Sequence, residues 1–271
     1  MVSLPAPPTE LFTTAAGVEL EYLLTGAGRP VTVFAHGLGS GIADTRPLGS
    51  AVPGTRIFVQ LRGHGRSGAP PGRWSYADLA DDLGAVADLH GANQALGVSL
   101  GAGALCGLLA RRPDRFERVV FFLPAVLDSP RTGPARRRIG ALLDAVGSGD
   151  RERVAEVVSA EVPVDLRGTA AAYSFVRQRC EQLLRDGLGA GLAGLAEGFA
   201  VPDASALGAV TASALVIGCV GDDLHPVGVA ERLASLLPRA RLHIYDRPGV
   251  LWTARADLRQ RISGFLAGAD G

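Results

Sequence analysis

Gln94-Ala95-Leu96-Gly97-Val98-Ser99-Leu100-Gly101-Ala102-Gly103-Ala104-Leu105 decides how this chain folds. Gln94–Val98 is an apolar run of strand length, and Ala102–Ala110 continues at helical spacing. Between them Ser99 stands with Gly97 two residues before it and Gly101 two residues after. A turn that passes directly from strand to helix crowds its flanks and strains its central residue, so residues without bulk are needed on both sides. Such a turn holds its serine hydroxyl out at the tip, where it can act as a nucleophile. A serine that merely caps the helix is the alternative.

Outward from this turn, short β-rich runs alternate with helical periodicity. Gly17–Thr25 alternates as a half-exposed strand, and buried runs follow at Val31–Ala35, Arg56–Leu61, Arg118–Leu123, Ala214–Val220 and Arg241–Tyr245. Helices are expected at Tyr76–Leu89 with Gly91 as its stop, at Val227–Leu237 behind Pro226, and at Ala256–Leu266. This order predicts an α/β fold with a mostly parallel sheet covered by helices, whose loops at the carboxyl edge collect the functional residues.

Residues 128–207 interrupt the alternation with helical patterns alone. Ile139, Leu142, Leu143 and Val146 mark one apolar face, Val154, Val157 and Val158 a second, and Tyr173, Val176 and Cys180 a third. The expectation is a core of residues 1–127 and 208–271 with a helical cap inserted at 128–207. The glycine-rich stretch Gly187–Gly198 is expected to be weakly pinned.

Composition narrows the function. The 27 basic and 27 acidic residues cancel, so no net field draws the chain to nucleic acid or to an anionic membrane surface. All the basic residues are arginine, which removes Schiff-base and Ser–Lys chemistry. Cys106, Cys180 and Cys219 fit no zinc spacing and read as reduced and buried. No leader or membrane span is legible, so a cytoplasmic enzyme of a small molecule, without metal or cofactor, is expected.

Two further stretches join the serine turn. Phe34-Ala35-His36-Gly37-Leu38-Gly39 ends one strand, and Arg62-Gly63-His64-Gly65-Arg66-Ser67-Gly68 follows the next. With these motifs in this order the chain resembles the α/β-hydrolase family over nearly its whole length outside the cap. The resemblance implies an eight-stranded sheet, Ser99 as nucleophile, and the backbone N–H groups of Leu38 and Leu100 as an oxyanion hole. It implies Asp222, four residues before Pro226, as the acid, with Asp223 and more distantly Asp128 as alternatives. Either aspartate beside Pro226 could instead cap the helix there. Family members hydrolyse esters, amides, lactones, epoxides or carbon–carbon bonds, and some are lyases, transferases or binding proteins.

The family's histidine follows the last strand in a Gly-His pair, but here Gly249 is followed by Val250. Valine accepts no proton, so an incomplete triad is expected. Of the five histidines, His90 and His243 read as structural, and in the family the histidine at His64 is usually structural as well. His36 and His225 remain at the carboxyl edge. His36 has a structural counterpart in the family, and His225 precedes Pro226, which pushes it toward extended backbone. Val250 and Trp252, with Phe122, Tyr173 and Phe175, are candidate pocket walls, and Arg136-Arg137-Arg138 reads as a solvated helix face, with a site for the phosphate of a carrier-bound substrate as the alternative. The expected function is an enzyme acting on a mid-sized, largely apolar organic such as an ester or thioester. A non-hydrolytic cyclase or lyase, or a silent ligand-binding homologue, is the alternative.

Overall fold

A computed structural model describes residues 8–185 and 188–268. Its strands in chain order are β1 (Glu10–Thr13), β2 (Glu19–Thr25), β3 (Val31–Ala35), β4 (Thr55–Val59), β5 (Gln94–Val98), β6 (Arg118–Phe122), β7 (Ser213–Cys219) and β8 (Ala240–Tyr245). They form one eight-stranded sheet in the order β1-β2-β4-β3-β5-β6-β7-β8. β2 runs antiparallel to β1 and β4, and every other pairing is parallel. This is the α/β-hydrolase fold, with β5 near the middle of the sheet.

The helices are α1 (Ile42–Gly49), α2 (Tyr76–Leu89), α3 (Leu100–Arg111), α4 (Gly133–Ser148), α5 (Arg151–Ser159), α6 (Ala170–Leu183), α7 (Leu188–Glu197), α8 (Val227–Leu236), α9 (Val250–Thr253) and α10 (Arg255–Leu266). Local chemistry explains their ends. Ser75 Oγ accepts the Asp78 amide while Asp78 Oδ2 accepts the Ser75 amide, a capping box that starts α2. Gly91, at a φ of +60°, turns the chain out of it.

Strand alternation divides the apolar core between the two faces of the sheet. Val33 and Ala35 of β3 join one cluster with α2 and α3, whereas Phe34 joins the other with α10 residues such as Leu258 and Ile262. Parallel strands covered on both faces are buried throughout, as the burial of β3 shows.

Between β6 and β7 the described residues hold α4 to α7, two short 3-10 turns at Val164–Leu166 and Ala204–Ala209, and no strand. The Val201 amide bonds Leu127 O at 3.0 Å, which joins the two ends of this segment. Ile139, Leu142, Val154, Val158 and Cys180 are buried, as their spacing suggests, but Tyr173 is 69% exposed. The glycine-rich stretch departs from expectation. Apart from Gly187, outside the described residues, it includes a helix seated on Trp74, where a Cβ on Gly191 would lie 2.3 Å from the indole. Glycine serves close approach here, and Leu188, Leu192 and Leu195 are buried at the contact.

Candidate active site

The serine turn has the strain its sequence requires. Ser99 adopts φ +49°, a region costly for a residue with a Cβ, and lies between the end of β5 and the first residue of α3. A Cβ on Gly97 would meet Gly101 O at 2.4 Å, and one on Gly101 would meet Ala35 O at 2.4 Å, so neither position accepts a larger residue without rearrangement. Leu123, at the end of the neighbouring β6, also has a positive φ of 51°. Strained backbone therefore gathers at this edge of the sheet.

The loop after β7 brings two side chains to the serine. His225 Nε2 lies 2.9 Å from Ser99 Oγ, and His225 Nδ1 lies 3.0 Å from Asp222 Oδ2. Asp222 Oδ1 accepts the backbone amides of Leu224 and His225 at 3.0 and 3.2 Å. This Asx turn curls the loop so that both residues face one way. Burial pushes the Asp222 carboxyl up, but His225 and the two amides outweigh it and hold the group below the usual carboxylate range. The ionised carboxylate thus accepts a hydrogen bond from Nδ1–H, leaving Nε2 its lone pair for the serine hydroxyl.

The other acid candidates do not join this row. Asp223 is exposed, and Asp128 pairs with Arg232 of α8. Nor does Asp222 cap α8, which begins only at Val227 behind Pro226.

His36 is excluded as a base by its surroundings. Its ring is 0% exposed, Nε2 accepts the Leu61 amide at 3.0 Å, and Nδ1 therefore carries its proton to Gly37 O at 2.7 Å. His64 repeats the pattern, accepting the Gly39 amide at 3.0 Å and donating to Arg62 O at 2.9 Å. Burial drives His36 well below the usual imidazole range and His64 to about 4, so both are neutral. The two rings meet edge to face at 4.6 Å and brace the loop of Leu38. His90 ends α2 and His243 lies within β8, both away from the serine.

That loop lies against the serine, since a Cβ on Gly37 would be 3.5 Å from Ser99 Cβ. Among the described residues neither the Leu38 nor the Leu100 amide donates a hydrogen bond within the protein. α6 closes over the loop. Leu183 covers Gly39, Arg179 donates to Ser40 Oγ at 2.7 Å and pairs with Glu161 at 3.0 Å, and Gln182 accepts the Gly65 amide at 3.1 Å. Sequence reading missed Arg179 and Gln182. They lie off the Tyr173–Cys180 stripe, on a polar face of α6 that also carries Phe175, the one signal for it.

A cavity of about 770 Å³ opens beside His225, lined by Leu123, Val250, Phe175 and Trp252 among others. Phe175 and Trp252 meet edge to face with centroids 5.3 Å apart. Val250, the first residue of α9, is 2% exposed and packs into the apolar cluster of α10. Two expected wall residues fall elsewhere. Phe122 is fully buried in the sheet, and the exposed Tyr173 does not line the cavity. Of the triple arginine only Arg138 reaches it.

Comparison with known proteins places this geometry in context. The family model described as alpha/beta hydrolase fold matches residues 30–249. An esterase from Exiguobacterium antarcticum superposes with a TM-score of 0.78 at 16% identity, covering 95% of this chain and 98% of its own. A meta-cleavage product hydrolase from Pseudomonas fluorescens gives 0.80 at 19% identity, with 96% and 98% covered. The enol-lactonase from Burkholderia xenovorans gives 0.78 at 22% identity, with 95% and 100% covered. Among the described residues no helix is long and apolar enough to cross a membrane.

Proposed function

We infer the function from two findings together: the chain belongs to the alpha/beta hydrolase fold family, and Ser99, His225 and Asp222 stand in one hydrogen-bonded row. It is a serine hydrolase of ester-type substrates whose general base comes from the loop after β7. The 2.9 Å contact of His225 Nε2 with Ser99 Oγ carries this reading. Esterase and enol-lactonase structures of the same fold lend support to acyl transfer.

In this mechanism Ser99 Oγ attacks the acyl carbon as His225 Nε2 removes its proton. The carbonyl oxygen gains negative charge, which the Leu38 and Leu100 amides stabilise. Asp222 steadies the imidazolium, which returns the proton to the departing alkoxide or thiolate. Water, deprotonated by His225, then attacks the acyl-enzyme; the bond to Ser99 Oγ breaks, the imidazolium returns the proton to Oγ, and the acid leaves.

By the family resemblance Val250 stands where a histidine is expected, and its apolar packing fits a base that arrives from elsewhere. A non-hydrolytic or silent reading was motivated by a missing base, and His225 removes that motive. The test is turnover of a panel of p-nitrophenyl esters and acyl thioesters, with mass spectrometry for an acyl group on Ser99. Turnover that Ser99→Ala abolishes is expected. Failure of the whole panel to exceed the Ser99→Ala background would overturn the assignment.

A further inference from the structure

We propose that the cavity beside His225 receives the alcohol or thiol half of the substrate, and that this half carries an oxyanion group bound by its arginine-lined wall. The inference rests on the catalytic roles of Ser99 and His225 proposed above. Its first support is the side on which the reaction centre opens. Asp222, Leu224 and His225 line the cavity, whereas Ser99, Leu38 and Leu100 do not. The imidazole that takes the serine proton must later give it to the leaving oxygen or sulfur, which therefore lies within hydrogen-bond reach of His225. The carbonyl oxygen in this reading faces the amides of Leu38 and Leu100, which do not line the cavity. Space against the imidazole and not against those amides is leaving-group space.

Charge is the second support. Arg138 of α4 and Arg255 and Arg259, one turn apart on α10, all line the cavity. Arg255 donates Nε–H to Leu251 O and lies over the Trp252 ring at 5.4 Å. The side chains of Arg138 and Arg259 make no hydrogen bond or ion pair among the described residues. The cavity's carboxylates are mostly engaged. Asp44 accepts the Gly41 amide at 2.9 Å, Glu161 pairs with Arg179 at 3.0 Å, and Asp222 holds His225 at 3.0 Å. Asp44 and Asp223 are exposed, and neither pairs with a cation among the described residues. A guanidinium stays charged at any working pH, and its planar fork of N–H donors matches a carboxylate or another oxyanion. Two uncommitted guanidinium groups beside the apolar and aromatic surface of Val250, Phe175 and Trp252 suit an aryl or alkyl leaving group that ends in such an anion.

The test uses matched esters: 4-(butanoyloxy)benzoate, its neutral amide 4-(butanoyloxy)benzamide, and phenyl hemisuccinate, in which the charge sits on the acyl half. Wild-type kcat/KM is expected to favour the benzoate over the benzamide by at least about tenfold, the equivalent of one charge-assisted hydrogen bond. Combining Arg138→Gln with Arg259→Gln should bring that ratio close to one. Equal values in the wild type, or a preference that survives both substitutions, would overturn the charge assignment. An arginine-dependent preference for the hemisuccinate would overturn the assignment of the cavity to the leaving group. Calorimetry on the Ser99→Ala protein makes the test independent of turnover: 4-hydroxybenzoate should bind more tightly than 4-hydroxybenzamide, and lose that advantage when the two arginines are replaced. Equal binding counts against the proposal, whereas ester turnover that persists in Ser99→Ala counts only against the catalytic reading.

Discussion

His36 and His225 stand on the same edge of the same sheet, on opposite sides of the strand that carries Ser99, and they meet opposite surroundings. His36 is sealed among backbone groups, one nitrogen accepting an amide and the other donating to a carbonyl. His225 is held by side chains, one nitrogen on a carboxylate and the other on the serine hydroxyl. The difference teaches that an imidazole's role is decided by what its two nitrogens touch. A ring with both nitrogens committed to the backbone braces a loop, and a ring oriented by a carboxylate has a lone pair to use.

Removing each histidine should expose this contrast. His225→Ala is expected to lower kcat by about 10⁴-fold or more, with Asp222→Asn close behind, because members of a triad act as a unit. Circular dichroism and melting temperature should be nearly unchanged in the His225 variant. A His225→Ala enzyme within tenfold of the wild type would erase the distinction between the two histidines.

His36→Ala should act on stability. It leaves the Leu61 amide without its buried acceptor and opens a cavity, together costing on the order of 2–4 kcal/mol. Urea unfolding followed by fluorescence measures the loss, and a variant as stable as the wild type would show that the sealed ring braces nothing.

The same burial makes stability depend on pH. The native state keeps His64 neutral down to about 4, whereas the unfolded chain protonates near 6.5. The unfolded state therefore binds more protons in that window, so stability is fully present above about pH 6.5 and falls as pH drops toward 4. His64 contributes a loss on the order of 3 kcal/mol, and His36 adds to it in the same direction. Unfolding free energies at pH 7 and pH 4.5 check this, and a His64→Asn variant should show a shallower slope.

The smallest effect concerns where the base can stand. Adding Val250→His to His225→Ala should restore activity by about tenfold over the single variant, or roughly 1.4 kcal/mol, if Val250 occupies the place where the family keeps its histidine. The gain is modest because the surrounding cluster packs a valine. A folded double variant with no gain would show that Val250 lies outside triad geometry.

Much of the fold was legible because apolar runs and helical periods report burial directly. Gly97, Ser99 and Gly101 were legible because few residue types survive a strained strand-to-helix turn, and the family resemblance pointed to Asp222 as the candidate acid four residues before Pro226. His225 was read only as a weak candidate. Counting from the last strand led to Val250, and the restriction that Pro226 imposes on the backbone of His225 does not say where the ring points. The Asx turn that aims it depends on side-chain bonds no periodicity encodes. Sheet order also matters: β7 lies two strands from β5, about 10 Å, whereas β8 lies about 14 Å away, so the β7 loop has the shorter reach to Ser99. α1, with Pro47 inside it, was not read as a helix.

The most direct test of His225 as the base of Ser99 is the rate at which a fluorophosphonate modifies the protein. Labelling needs the same proton removal from Ser99 as acyl transfer but no particular substrate, and mass spectrometry locates the adduct. Rapid modification confined to Ser99 in the wild type and at least about a hundredfold slower modification in folded His225→Ala is the predicted result. Equal rates in the two proteins, or an adduct on another residue, would contradict it.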